Sequence, residues 1–152
     1  MKRTHLNNNS AGYWNTTKVD DWVKLKSLPL PLFMNFQAII SVDDASVCTS
    51  GNYRKFVEID GVKRSHSIDP RTGYPVDHSL LSVTIKASNA AIADAYATAC
   101  MVLGPEEGRF FIEERIENSP QYGIEALFIE AEGDGYEVWV TPGWEREVKL
   151  LD

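Results

Sequence analysis

The sequence predicts an α+β fold, a mostly antiparallel sheet covered by a buried alanine-rich helix and a second helix. Three observations lead there. Asp60-Gly61 and Gly133-Asp134-Gly135 punctuate runs of β-type residues, as hairpin turns do. The stretch over 90–103 is apolar nearly all round, the mark of a helix that is buried rather than laid on a surface. The resulting order β-β-β-β-α-α-β-β, joined mainly by hairpins, belongs to an antiparallel sheet with segregated helices. With 152 residues, 43% of them hydrophobic and 11% aromatic, the chain has ample core for one domain.

Residues 1–36 combine an Asn-rich start, a mixed middle and Leu28-Pro29-Leu30-Pro31-Leu32-Phe33, whose two prolines forbid a regular helix. This segment reads as irregular, and 37–152 as the folded domain. A strand is expected over 37–42, a polar turn at Asp43-Asp44 and a second short strand over 46–48. Runs 53–59 and 62–68 are joined by Asp60-Gly61. Closed in the two-residue register, that hairpin sets Ile59 opposite Val62, Val57 opposite Arg64, Lys55 opposite His66 and Tyr53 opposite Ile68. The other side pairs Glu58 with Lys63. An ion pair belongs toward solvent, so His66 and Ile68 are expected to point inward. A strand over 80–87 follows, then a helix over 90–103 capped by Ser88 or Asn89 and ended by Gly104. Pro105 opens a second helix reaching about residue 118, with Glu106 and Glu107 near the positive end of its dipole. Strands over 124–130 and 136–141 complete the pattern before Pro142-Gly143.

A net charge of −7 without a dense Lys/Arg stripe argues against a nucleic-acid backbone or an anionic membrane as the main partner. No apolar run is long enough for a membrane span. Met1-Lys2-Arg3 is followed by Thr4-His5-Leu6-Asn7, without the apolar run of a signal peptide. Cys48 and Cys100 have neither metal nor disulfide-framework spacing and read as two buried thiols.

Chemistry concentrates in two places. In Ser65-His66-Ser67-Ile68-Asp69-Pro70-Arg71-Thr72-Gly73, Asp69, Pro70 and Gly73 each favour a tight, rigid turn. That turn holds the bidentate donor Arg71 close in sequence to His66, the side chain that most readily exchanges a proton near neutral pH. Arg71 either meets an anionic group or braces the turn. His66, inward and across from a lysine, is either a neutral proton acceptor or a histidine hydrogen-bonded at a core edge. The second place is the apolar helix. Asp94 and Thr98 lie four residues apart on one face, and a carboxylate in such surroundings needs a positive partner. Either a cation such as Mg²⁺, which takes one or two protein oxygens, or an arginine would answer it.

Three ordered motifs, Ser46-Val47-Cys48-Thr49-Ser50-Gly51-Asn52-Tyr53-Arg54, the turn segment above, and Ala93-Asp94-Ala95-Tyr96-Ala97-Thr98 with Leu103-Gly104, resemble the C-terminal half of the FAD:protein FMN transferases, the ApbE-like family once called thiamine-biosynthesis lipoproteins. The resemblance runs from about Phe36 to the end. It implies Mg²⁺-dependent cleavage of FAD, attachment of FMN through a phosphoester to a threonine or serine of a target flavoprotein, and release of AMP. Some relatives hydrolyse FAD instead. Carried over residue by residue, Asp94 and Thr98 match metal ligands, His66 a catalytic histidine, and Ile68 and Ser50 FAD-contacting positions, with Arg71 assisting. An aspartate that precedes the threonine in some members is Ala97 here.

Family members also carry glycine-rich FAD-binding segments ahead of the Thr-Ser-Gly motif, whereas this chain has one glycine, Gly12, before Gly51. The expectation is therefore a C-terminal portion of the transferase, with an exposed apolar patch where an N-terminal half or a second copy would pack. The alternative is a non-catalytic domain of the same fold. Members are usually exported to the cell envelope, but neither a signal peptide nor a lipid-attachment cysteine is recognisable here.

Overall fold

The structure, a computed structural model, describes residues 12–16, 22–26, 36–52, 56–59, 62–65 and 67–150, with the backbone alone at 12–16, 22–26, 36–37, 56–59 and 62–64. Its strands are β1 (Gly12–Thr16), β2 (Trp22–Lys26), β3 (Phe36–Ser41), β4 (Ala45–Gly51), β5 (Phe56–Ile59), β6 (Val62–Ser65), β7 (Leu80–Ala87), β8 (Glu125–Glu132), β9 (Gly135–Val140) and β10 (Val148–Leu150). Two helices, α1 (Ala90–Leu103) and α2 (Pro105–Asn118), lie between β7 and β8. The predicted α+β class holds: a five-stranded sheet runs in the order β1-β4-β7-β8-β9, and every pairing in it is antiparallel.

β7 is buried at most of its positions because both faces of the central sheet are covered. On one face Cys48, Val83, Ile85 and Phe128 meet Ala93, Ala97, Cys100 and Met101 of α1 and Ile112 of α2. On the other, Val47, Leu127 and Ile129 meet Ala38, Ile40 and Val42, with Trp144 wholly buried among them. That second cover is a separate three-stranded sheet, β10-β3-β2. It was not foreseen, because β2 falls in the stretch read as irregular and β10 closes on β3 from the far end of the chain. β1, also from that stretch, adds an edge strand to β4.

Small residues let α1 pack flat on the sheet, and its ends are well marked. Asn89 Oδ1 accepts the Ile92 N–H at 3.0 Å, so Asn89, not Ser88, is the cap. Gly104 ends α1 and precedes α2 at φ 86°, ψ −176°, a conformation open essentially to glycine alone. A Cβ there would sit 3.0 Å from the ring of His78. His78 Nε2 lies 2.9 Å from the Met101 carbonyl, and Nδ1 accepts the Leu80 N–H at 3.3 Å, which clips the start of β7 to the end of α1. None of the helices among the described residues is long and apolar enough to cross a membrane.

The hairpin has the expected register, with Ile59 opposite Val62, Glu58 opposite Lys63 and Val57 opposite Arg64. It stands as its own two-stranded sheet. The pairs Lys55 with His66 and Tyr53 with Ile68 lie outside the described residues. Ile68 itself bridges Pro75 and is 48% exposed, so its inward assignment is corrected. The turn after it supplies the reason, since its own hydrogen bonds pull Ile68 back onto Pro75. The other exposed large apolar side chains among the described residues are Tyr74, Phe110, Tyr136 and Leu150.

Candidate functional site: the β4–α1 oxygen cluster and the Asp69–Gly73 turn

β4 alternates, so Cys48 and Ser50 share the face that α1 covers. Cys48 Sγ donates to the Ala90 carbonyl at 3.5 Å. Two residues on, Ser50 Oγ lies 3.4 Å from Thr98 Oγ1, two turns further along the helix. Asp94 sits between these contacts on the same helix face as Thr98. Its carboxylate is felt at Cys48, whose thiol is pushed up to about 12, first by burial and then by the Asp94 charge. The structure thus brings Ser50 and Thr98 together, with Asp94 one turn away, as a row of hard oxygen donors. Thr98 is exposed and Asp94 partly so, leaving the row open to solvent.

One carboxylate and two hydroxyls suit a small hard cation that keeps most of its shell in water and phosphate oxygens. Among the described residues no group of three or more His, Cys, Asp and Glu side chains is placed to hold a metal. Asp94 and Thr98 are the residues here that could hold such an ion. Ala97, wholly buried in the core, adds no oxygen.

The Asp69–Gly73 turn is closed by its own backbone. Gly73 and Thr72 donate to the Asp69 carbonyl at 2.7 and 3.2 Å, and Asp69 N–H donates to Tyr74 at 2.9 Å. Gly73 takes φ 74°, as the turn requires. Arg71 donates Nε and Nη2 to the Asp69 carboxylate, at 3.1 and 2.9 Å, and Nη1 to Glu107 at 3.1 Å. Those hydrogen bonds, from the Arg71 side chain above all, hold Asp69 below the usual carboxylate range. Arg71 itself is raised by Asp69 and Glu107. The contacts are those of a brace between the turn and the first turn of α2. His66 lies outside the described residues.

Two participants escaped the sequence reading. Glu107 was read only as a helix-dipole acid, and its partner lies 36 residues away. Asn52 stood within the first of the three motifs with no role of its own. Its side chain in fact accepts from Ser65 Oγ at 2.7 Å, and a hydrogen-bonding residue at a strand end was the available signal.

The ApbE family model matches residues 15–134. The FAD:protein FMN transferase of Escherichia coli (strain K12) is 40% identical over 106 residues, which cover 70% of this chain and 28% of that protein. Among solved structures, the apo form of the Pseudomonas stutzeri flavinyl transferase ApbE superposes with TM-score 0.66 at 30% identity, covering 90% of this chain and 41% of that one. The flavin transferase ApbE from Vibrio cholerae gives 0.69 at 27% identity, covering 90% and 42%. The chain thus spans under half the length of each of these relatives. With the family model matched over residues 15–134, well over half of its length, this chain belongs to the ApbE family.

Proposed function

We propose that this chain contributes to Mg²⁺-dependent transfer of FMN from FAD to a threonine or serine hydroxyl of a target flavoprotein. The observation that carries the reading is the Ser50–Thr98 contact with Asp94 one turn away, in a chain 40% identical over 106 residues to a FAD:protein FMN transferase. Asp94 and Thr98 would hold the ion, and Ser50 and Ile68 would contact FAD. Exposure of Ile68 and Thr98 leaves room for a ligand beside both.

In the reaction, the acceptor oxygen forms a bond to the phosphorus of the FMN moiety, and the P–O bond to AMP breaks. AMP leaves with the bridging oxygen, while His66 takes the hydroxyl proton. Mg²⁺ held by Asp94 and Thr98 would supply positive charge against the negative phosphate oxygens. Arg71, held by Asp69 and Glu107, keeps the turn rigid and presents its outer edge, 57% exposed, toward any anion docking there. An N-terminal half or a second copy would complete the cofactor cradle.

A second reading, a domain that binds flavin without turnover or hydrolyses FAD weakly, is favoured by the single carboxylate in the anchor. The purified chain, incubated with FAD, Mg²⁺ and a threonine-bearing flavoprotein domain, separates these readings. Covalent flavin fluorescence on the acceptor with equimolar AMP supports transfer, and Asp94→Ala or omission of Mg²⁺ should abolish it. AMP with free FMN supports hydrolysis, and neither product contradicts catalysis by this chain.

A further inference from the structure

Asn52 joins three elements at once. Its N–H donates to the Leu81 carbonyl at 3.0 Å, one residue beyond the last β4–β7 pair, Gly51 with Ser82. Its Nδ2 reaches toward the Leu80 carbonyl at 3.5 Å, beside the register shift in the β7–β8 pairing. Its Oδ1 accepts from Ser65 Oγ at 2.7 Å, and that hydroxyl in turn accepts the Ser67 N–H at 3.0 Å. Ser65 and Ser67 are the two neighbours of His66. An isolated two-stranded ribbon is marginally stable in water, and β5–β6 is such a ribbon, so what ties its end to the main sheet decides how precisely that end is held.

We propose that Asn52 is a positioning residue: through Ser65 it ties the residues on either side of His66 to the central sheet, and the base depends on that tie for its action. This rests on the transferase reading, in which His66 takes the acceptor proton. A side chain misplaced by about 1 Å can cost on the order of 10²-fold in rate, so losing the anchor should appear in kcat rather than in FAD binding.

The test compares Asn52→Leu, Ser65→Ala and Asn52→Asp in the full chain with wild type, the last keeping an oxygen for Ser65. Two readouts are taken: kcat and KM for FAD in the transfer assay, and the ring ¹⁵N signals of His66, separable from those of His5 and His78 by single substitutions. Asn52→Leu and Ser65→Ala should lower kcat by up to about 10²-fold with KM for FAD held within about twofold. The His66 ring signals should shift from their wild-type positions, and Asn52→Asp should restore most of both. Wild-type kcat and unmoved His66 signals in Asn52→Leu and Ser65→Ala would overturn the proposal. So would a parallel loss of melting temperature, kcat and FAD affinity with His66 unmoved. If wild type transfers no flavin, the transferase reading fails by itself and the ring signals still decide whether Asn52 positions His66. Should Asn52→Leu fail to fold, Ser65→Ala, which removes one hydroxyl, carries the comparison.

Discussion

Cys48 reports on Asp94 without any ligand. Its thiol is raised from 9.0 to about 12, by burial first and by the Asp94 charge second. The folded state therefore keeps a proton that the unfolded chain gives up. The stability this confers is fully present below the ordinary thiol value and is lost as pH rises through that window. Asp94→Asn removes the charge but leaves the burial, so Cys48 should begin to react with iodoacetamide at a lower alkaline pH than in wild type. Mass spectrometry of the Cys48 peptide across an alkaline series checks this. Identical onsets would place the Asp94 charge away from Cys48. At neutral pH both thiols should stay unreactive in the native protein, since burial raises Cys100 to about 12 as well.

At the scale of elements, the junction of α1 and α2 is the most constrained point. Gly104→Ala places a Cβ where essentially only glycine goes, at a strain of about 1–3 kcal/mol, and pushes it against the ring of His78. Urea unfolding should show a loss of at least that order. A wild-type midpoint would mean that the junction relaxes freely. The same junction shows what was legible in the sequence. Asn89, Gly104 and Pro105 each have a local reason to sit where they do, and a local reason can be read from neighbours alone. The Asp60-Gly61 hairpin register was legible on the same terms. Strands β1 and β2 were not: β1 does not alternate and skips two strands to pair with β4, and the alternation of Val23-Lys24-Leu25-Lys26 in β2 was passed over in a stretch read as irregular. In the site, the Asp94/Thr98 pair could be read from helical spacing. The Arg71–Glu107 and Asn52–Ser65 bonds could not, since only the folded chain brings those residues together.

Across the whole molecule, the central sheet is a partition. α1 and α2 pack one face and the three-stranded sheet the other, and Ser50, Thr98 and Asp94 are held on the helix side by that packing. The core beneath them is apolar and close-packed: Ala93, Ala97, Cys100 and Met101 are buried on α1, and a Cβ at Gly108 would meet Phe128 at 3.1 Å. Such a platform holds Asp94 and Thr98 in place with little reorganisation, and a rigid platform is what the proposed site, with few ligands, needs. Under the proposed function, Asp94 and Thr98 serve Mg²⁺ and FAD together. Isothermal titration of FAD into the purified chain, with and without Mg²⁺ and repeated on Asp94→Ala, tests it most directly. Saturable binding that requires Mg²⁺ and disappears in Asp94→Ala is the predicted result. FAD binding indifferent to Mg²⁺ and to Asp94→Ala, or no binding under any condition, would contradict the claim.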